Sequence, residues 1–242
     1  MDISTLLIIF TLSICASFVQ RVSGFGFGIF IMTALPYFLP TYGEATTLSG
    51  MLSSAQSVYI LRTHHRFIDW HKLLPILITF LLISFIAVLF VVHTTETHLK
   101  TILGITLTLM SIYFLFINGT FQIRPTMKLQ ISMGTISGMM GGLFGMQGPP
   151  AVLYFLSITK DKNIYLAMAQ SYFLIGNIAM TIYRWHFGFL TPCVWRNWIF
   201  SLVGVAFGSF IGKVVFDRIS SDTLRKIVYI YMGISGLVAI FS

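Results

Sequence analysis

Ten apolar runs punctuate the chain, at about 4–20, 27–39, 44–61, 73–92, 99–117, 129–144, 149–158, 164–183, 195–216 and 224–241. Their order is long, short, long, long, long, and that order occurs twice. A helix needs roughly 20 residues, at ~1.5 Å each, to cross ~30 Å of hydrocarbon. The long runs reach or approach that length; the two short ones, 27–39 and 149–158, do not. The pattern predicts an all-α polytopic membrane protein with two repeats, 1–118 and 129–242, joined by a polar linker at 119–128. Residue matches follow the same register: Gly24 pairs with Gly145 and Gln56 with Asn177 at an offset of 121, and TETHLK at 95–100 resembles SSDTLR at 220–225 at an offset of 125.

Each short run is preceded by a break. The first is Ser23-Gly24-Phe25-Gly26-Phe27-Gly28; the second, within GGLFGMQGPP at 141–150, contains four glycines, Gln147 and the pair Pro149-Pro150. Glycine loosens helical backbone, and proline removes a donor and clashes with the preceding turn. Lipid cannot satisfy the backbone groups freed there, so such segments persist at membrane depth only where protein or a wet cavity surrounds them.

Basic residues decide how the breaks are used. If each break merely kinks a spanning helix, the two sides carry seven Lys and Arg apiece, and no orientation is favoured. If each break is instead the tip of a hairpin that returns to the side it came from, Arg62, Arg66, Lys72, Arg124, Lys128, Lys160, Lys162, Lys213, Arg218, Arg225 and Lys226 share one side. Lys100, Arg184 and Arg196 face the other. The positive-inside rule selects the second arrangement. The expected fold is therefore two inverted repeats, each a broken, re-entrant helical hairpin plus three transmembrane helices, with both termini outside the cytoplasm.

Composition agrees and removes other classes. The chain of 242 residues is 56% hydrophobic and 9% charged, against about 25% charged in soluble domains. The net charge of +8 is scattered between apolar runs, which excludes a nucleic-acid partner. Cys15 and Cys193 lack metal-ligand spacing, and His64, His65 and His71 cluster in a polar loop without an HExxH, so no metal or cofactor is expected. The first run follows Asp2 rather than a basic segment and lacks a small-residue cleavage site, so it is expected to be retained. There is no P-loop, no Ser–His–Asp spacing and no pair of membrane carboxylates, which argues against an ATP-driven pump or an enzyme.

The candidate chemistry lies at the breaks. Each short arm begins after its glycines, so a helix N-terminus with free N–H groups points at the break, a natural anion site. Ser23, Gly24, Gly26 and Gly28 in one half, and Gly145, Gln147, Gly148 and Pro149 in the other, are the expected binding residues. On the helices that follow, Gln56, Gln170 and Asn177 offer neutral amides that replace an anion's water shell. Ser49, Ser53 and Ser57 read as ordinary interhelical hydroxyls. Arg21, just before the first break, either meets the anion or sits among headgroups. Glu44 reads as a first-turn carboxylate, and Arg184 and His186 as interfacial anchors beside Trp185.

GFGFG at 24–28 and GGLFGMQGPPAVLYFL at 141–156 resemble the TauE/SafE family, the sulfite exporter-like permeases. The resemblance covers essentially the whole chain; the chain departs from it in having Gln147 where the family often has a further glycine. It implies an inner-membrane transporter that moves sulfite or an organosulfonate such as sulfoacetate outward. The residues themselves point to a small anion; only the resemblance points to sulfur. The expected function is secondary transport by alternating access, the alternatives being uptake of another small anion or solute, or a non-transport intramembrane protein. The expected partners are the small anion and the bilayer, with a homodimer left open.

Overall fold

The computed structural model describes residues 3–117, 126–159 and 161–216, together with 230, 233, 234, 236–238 and 240. Helix starts follow from side-chain caps. α1 is Ile3–Ser23 and α2 Phe27–Met32, followed by a 3-10 turn at Leu35–Tyr37. α3, Tyr42–His64, opens on a capping box in which Thr41 accepts from the Glu44 amide and Glu44 accepts from the Thr41 amide, as expected of a first-turn carboxylate. Asp69 caps α4 (Trp70–Val92), Thr126 caps α6 (Met127–Phe144) and Asp161 caps α8 (Lys162–His186). α5 is Glu96–Ile112 and runs into a π-helical turn at Tyr113–Ile117; α7 is Gly148–Ile158 and α9 is Pro192–Phe216. No strand occurs among the described residues. Most of the last apolar run, 224–241, and of the linker, 119–128, lies outside them.

The short arms differ in how far they run. α7 keeps the expected extent, but α2 stops at Met32, because Pro36 cannot donate to a continuing helix and the chain tightens into the 3-10 turn.

Among the described residues four helices, α1, α4, α8 and α9, are long and apolar enough to cross a membrane. Leu74, Ile78, Leu82 and Phe85 of α4, and Ile199, Val203, Phe207 and Phe210 of α9, are exposed. Such stripes are stable in lipid and would be a liability in water. The polar helix α3 has the opposite character: Thr46, Thr47, Ser49, Gln56 and Ser57 are fully buried, because the other helices surround it.

Packing pairs elements from opposite halves. Gly204, Gly208 and Gly212 of α9 lie against the carbonyls of Phe10, Ile14 and Phe18 in that order, so α1 and α9 run parallel. Gly134, Gly138 and Gly142 of α6 lie in the same way against the carbonyls of Ile76, Phe80 and Ser84, so α6 and α4 run parallel. The glycine spacing of four keeps one helix face free of side chains and lets the backbones approach closely. α3 and α8 run antiparallel, with Ser57 opposite Gln170, Gly50 opposite Asn177 and Thr46 opposite Arg184. Chain directions now follow: α9 opposes α8 and therefore runs with α3, so α1 and α3 point the same way, and the short segment between them returns. The same reasoning folds α6 and α7 into a hairpin.

Candidate functional site

Gly24, Gly26 and Gly145 all have positive φ, at 83°, 101° and 68°. This left-handed backbone is open to glycine with little strain and turns the chain where each long arm ends. At the second tip Gly145 N–H donates to the Gly141 carbonyl at 2.9 Å, closing α6 in an αL cap, and Met146 N–H reaches the Met140 carbonyl at 3.3 Å. At the first tip Gly24 N–H reaches the Gln20 carbonyl at 2.8 Å, and the Ser23 hydroxyl donates to the carbonyls of Val19 and Phe25, tying the turn to itself.

Side chains of α8 and α6 hold the tips. Gln170 donates to the Gly24 carbonyl at 3.0 Å, and its own carbonyl accepts from Gln20 at 3.1 Å and Ser57 at 3.0 Å. At the second tip Tyr172 donates to Ser137 at 2.8 Å, and Ser137 donates to the Gln147 carbonyl. The Gln147 amide nitrogen donates to the Phe173 carbonyl at 3.2 Å.

The tips meet. A β-carbon placed on Gly28 would overlap the carbonyl oxygen of Gly145. Between them lies a small, half-open cavity of about 20 Å³, lined on its polar side by Gln20, Ser53, Gln147 and Asn177. That is about the space of one water molecule, so an oxyanion enters only when the tips separate. Asn177 is 1% exposed, and neither its Oδ1 nor its Nδ2 has a partner; the same holds for the Gln147 Oε1 and the Ser49 hydroxyl. Buried polar atoms are usually hydrogen-bonded and costly to leave unpaired. A set of them around one joint marks a place built to receive polar groups from outside the chain.

The expected residues therefore divide. Gly26, Gly28, Gly145, Gln147, Gly148 and Asn177 line the cavity, while Ser23, Gly24 and Gln170 build the first tip beside it. Pro149 is buried in the first turn of α7, but it and Pro150 carry no N–H, so that turn keeps only the donor of Gly148. With α2 only six residues long, helix termini supply less of the anion site than their positions alone suggest. Gln56 lies outside the cavity: its Oε1 accepts from Ser17 at 2.7 Å and Ser209 at 2.6 Å, and it joins α1, α3 and α9. Arg21 packs its stem against Gly212 of α9 and does not line the cavity.

Three residues acquire roles that the sequence did not suggest. Ser53 and Gln20 line the cavity. Arg184 is not an interfacial anchor. It is 1% exposed and donates to the carbonyls of Thr46 at 3.1 Å and of Gly141 and Gly142 at 3.0 Å each. Those last two belong to the final turn of α6, whose negative dipole end draws a cation inward. Its position seven residues after Asn177, two turns along the same face, was the available signal. Removing Arg184 from the charge tally leaves the asymmetry of the basic loops in place. Among the described residues no group of His, Cys, Asp and Glu is placed to hold a metal ion.

A family model described as Sulfite exporter TauE/SafE matches residues 9–239. No curated protein and no solved structure matches the chain.

Proposed function

The chain belongs to the TauE/SafE sulfite exporter family, and we propose that it is a secondary transporter carrying a small sulfur oxyanion or organosulfonate through the joint between its hairpin tips. It is a multi-pass membrane protein; we place it in the cell's inner membrane, exporting its substrate. One observation carries the reading: the unpartnered amide of Asn177 lines a small cavity at the contact of Gly28 with Gly145. Neutral amides and hydroxyls replace an oxyanion's hydration shell without holding it too tightly to leave.

Alternating access about inverted repeats is the mechanism we favour. It is supported by the packing: the 121-residue offset carries the pair Ser57–Gln170 close to the pair Gly50–Asn177, and it exchanges α1·α9 with α6·α4. Because α3 and α8 are antiparallel, the axis that relates them lies across the helices, as between oppositely oriented halves. The contact of the tips, which leaves space for about one water molecule between them, corresponds to the step of such a cycle in which no substrate is held. An inside-negative potential favours anion export by ~2.3 kcal/mol per charge per 100 mV. The reading is of a carrier rather than an enzyme, since the cavity wall offers amides, a hydroxyl and backbone but no base.

Counterflow in proteoliposomes with labelled sulfite, methanesulfonate and sulfoacetate tests it. Saturable flux of at least one is expected; none for any anion would overturn the reading.

A further inference from the structure

Arg184 is a full positive charge buried behind the second tip. Its hydrogen bonds to Thr46, Gly141 and Gly142 all go to carbonyl oxygens of neutral peptide groups, and no carboxylate pairs with it among the described residues. Burying an ion without a counter-ion is expensive, and an ionisable group inside a membrane protein marks a functional position more often than not. Its surroundings lead toward the cavity. A β-carbon on Gly50 would stand 3.6 Å from the Asn177 Oδ1, 3.7 Å from the Thr181 hydroxyl and 3.8 Å from an Arg184 guanidinium nitrogen. Asn177 in turn lines the cavity together with Gly145, the residue that ends α6. Two turns of α8 thus connect an unpartnered amide at the cavity wall to an uncompensated cation behind it.

From this arrangement we infer that Arg184 is the specificity-determining charge of the transporter. It cancels the negative end of α6, which would otherwise repel an anion at the tip, and leaves the closed joint net positive. The inference rests on the transport reading above and names what selects the substrate's charge. Arg184 is a positioning residue: it acts through the α6 terminus and the field rather than by touching the substrate. One fixed charge backed by neutral amides suits a substrate of a single negative charge, such as an organosulfonate or hydrogensulfite.

The test cancels the charge without removing the guanidinium. A β-carbon at Gly50 meets only ordinary contacts, so Gly50→Asp brings a carboxylate beside Arg184, and Gly50→Asn has the same shape without the charge. Competition against labelled substrate flux is measured with methanesulfonate and with dimethyl sulfone, a neutral molecule of similar size. Gly50→Asp is expected to weaken methanesulfonate at least about tenfold relative to Gly50→Asn, with dimethyl sulfone unchanged between the two. Equal competition in both variants overturns the inference. Arg184→Gln and Arg184→Lys form a second arm, read on whichever variants fold. The glutamine variant should lose the preference for methanesulfonate over dimethyl sulfone, and the lysine variant should retain most of it. A lysine variant without the preference, or a glutamine variant with it intact, overturns the inference as well. If the unsubstituted protein carries no anion, the transport reading itself fails, and this inference with it.

Discussion

Gly28 and Gly145, one from each half of the chain, touch backbone to backbone, with no room for a β-carbon on the first against the carbonyl of the second. The contact makes the closed joint, and its tightness separates glycines that are needed from glycines that are tolerated.

Gly28→Ala should therefore prop the tips apart. We expect a loss of at least tenfold in flux and a destabilisation of about 1–3 kcal/mol, the usual cost of overpacking. Gly148 differs: its added β-carbon would meet Phe25 and Phe173 at 3.6–3.8 Å, ordinary contacts. Gly148→Ala should keep most of the flux, whereas Gly148→Leu fills the joint and abolishes it while the protein still inserts. Proteoliposome flux beside detergent melting curves decides; a fully active Gly28→Ala would mean the tips do not close in the cycle.

Asn177 should show function and stability in opposition. Its amide is buried without partners, so Asn177→Leu removes a desolvated polar group and is expected to leave the melting temperature unchanged or higher. Flux should fall tenfold or more. A variant that melts well below the parent would assign Asn177 to the scaffold instead.

Gln170 predicts the reverse balance. It bonds Gly24, Gln20 and Ser57 at once, so Gln170→Leu strands several buried groups, each at ~1–3 kcal/mol. Detergent-solubilised protein should unfold at a clearly lower temperature than the parent, before any effect on transport is considered. An unchanged melting curve would show that the first tip does not depend on this amide.

Topology can be checked independently of transport. The proposed arrangement of two hairpins and six further crossings has both termini on one side, and the positive-inside rule applied to the basic loops predicts that this side is non-cytoplasmic. Tags at residues 1 and 242 should be accessible to an impermeant reagent in intact cells. Accessibility at only one end would break the duplicated arrangement; accessibility at neither would reverse it.

Much of this was legible in the residues. Glycine and proline inside apolar runs announce a helix that fails, and counting basic loops turns the failure into a hairpin. What escaped depends on distance across the fold. Gln56 and Asn177 match at the repeat offset, yet Ser17 and Ser209 occupy the amide of Gln56, and those serines lie far from it in sequence. Ser53 could not be told from its neighbouring hydroxyls, because facing a cavity or facing a helix leaves the same periodicity. Arg184 sits at the end of an apolar run beside a tryptophan, the ordinary setting of a headgroup anchor. Carbonyls of α3 and α6, all more than forty residues away in the chain, bring it inside.

The glycine stripes of α6 and α9 bear on what moves. Each long hairpin arm is seated against a helix of the opposite half, α1 on α9 and α6 on α4. The proposed sequence repeat and the body that would swing are therefore different objects. Opening the joint by pulling whole halves apart would tear both seats, so the rigid parts are hybrids, each assembled from two distant pieces of chain. Neither half owns a complete gate, and a fragment ending at the linker would carry an arm with nothing to rest on.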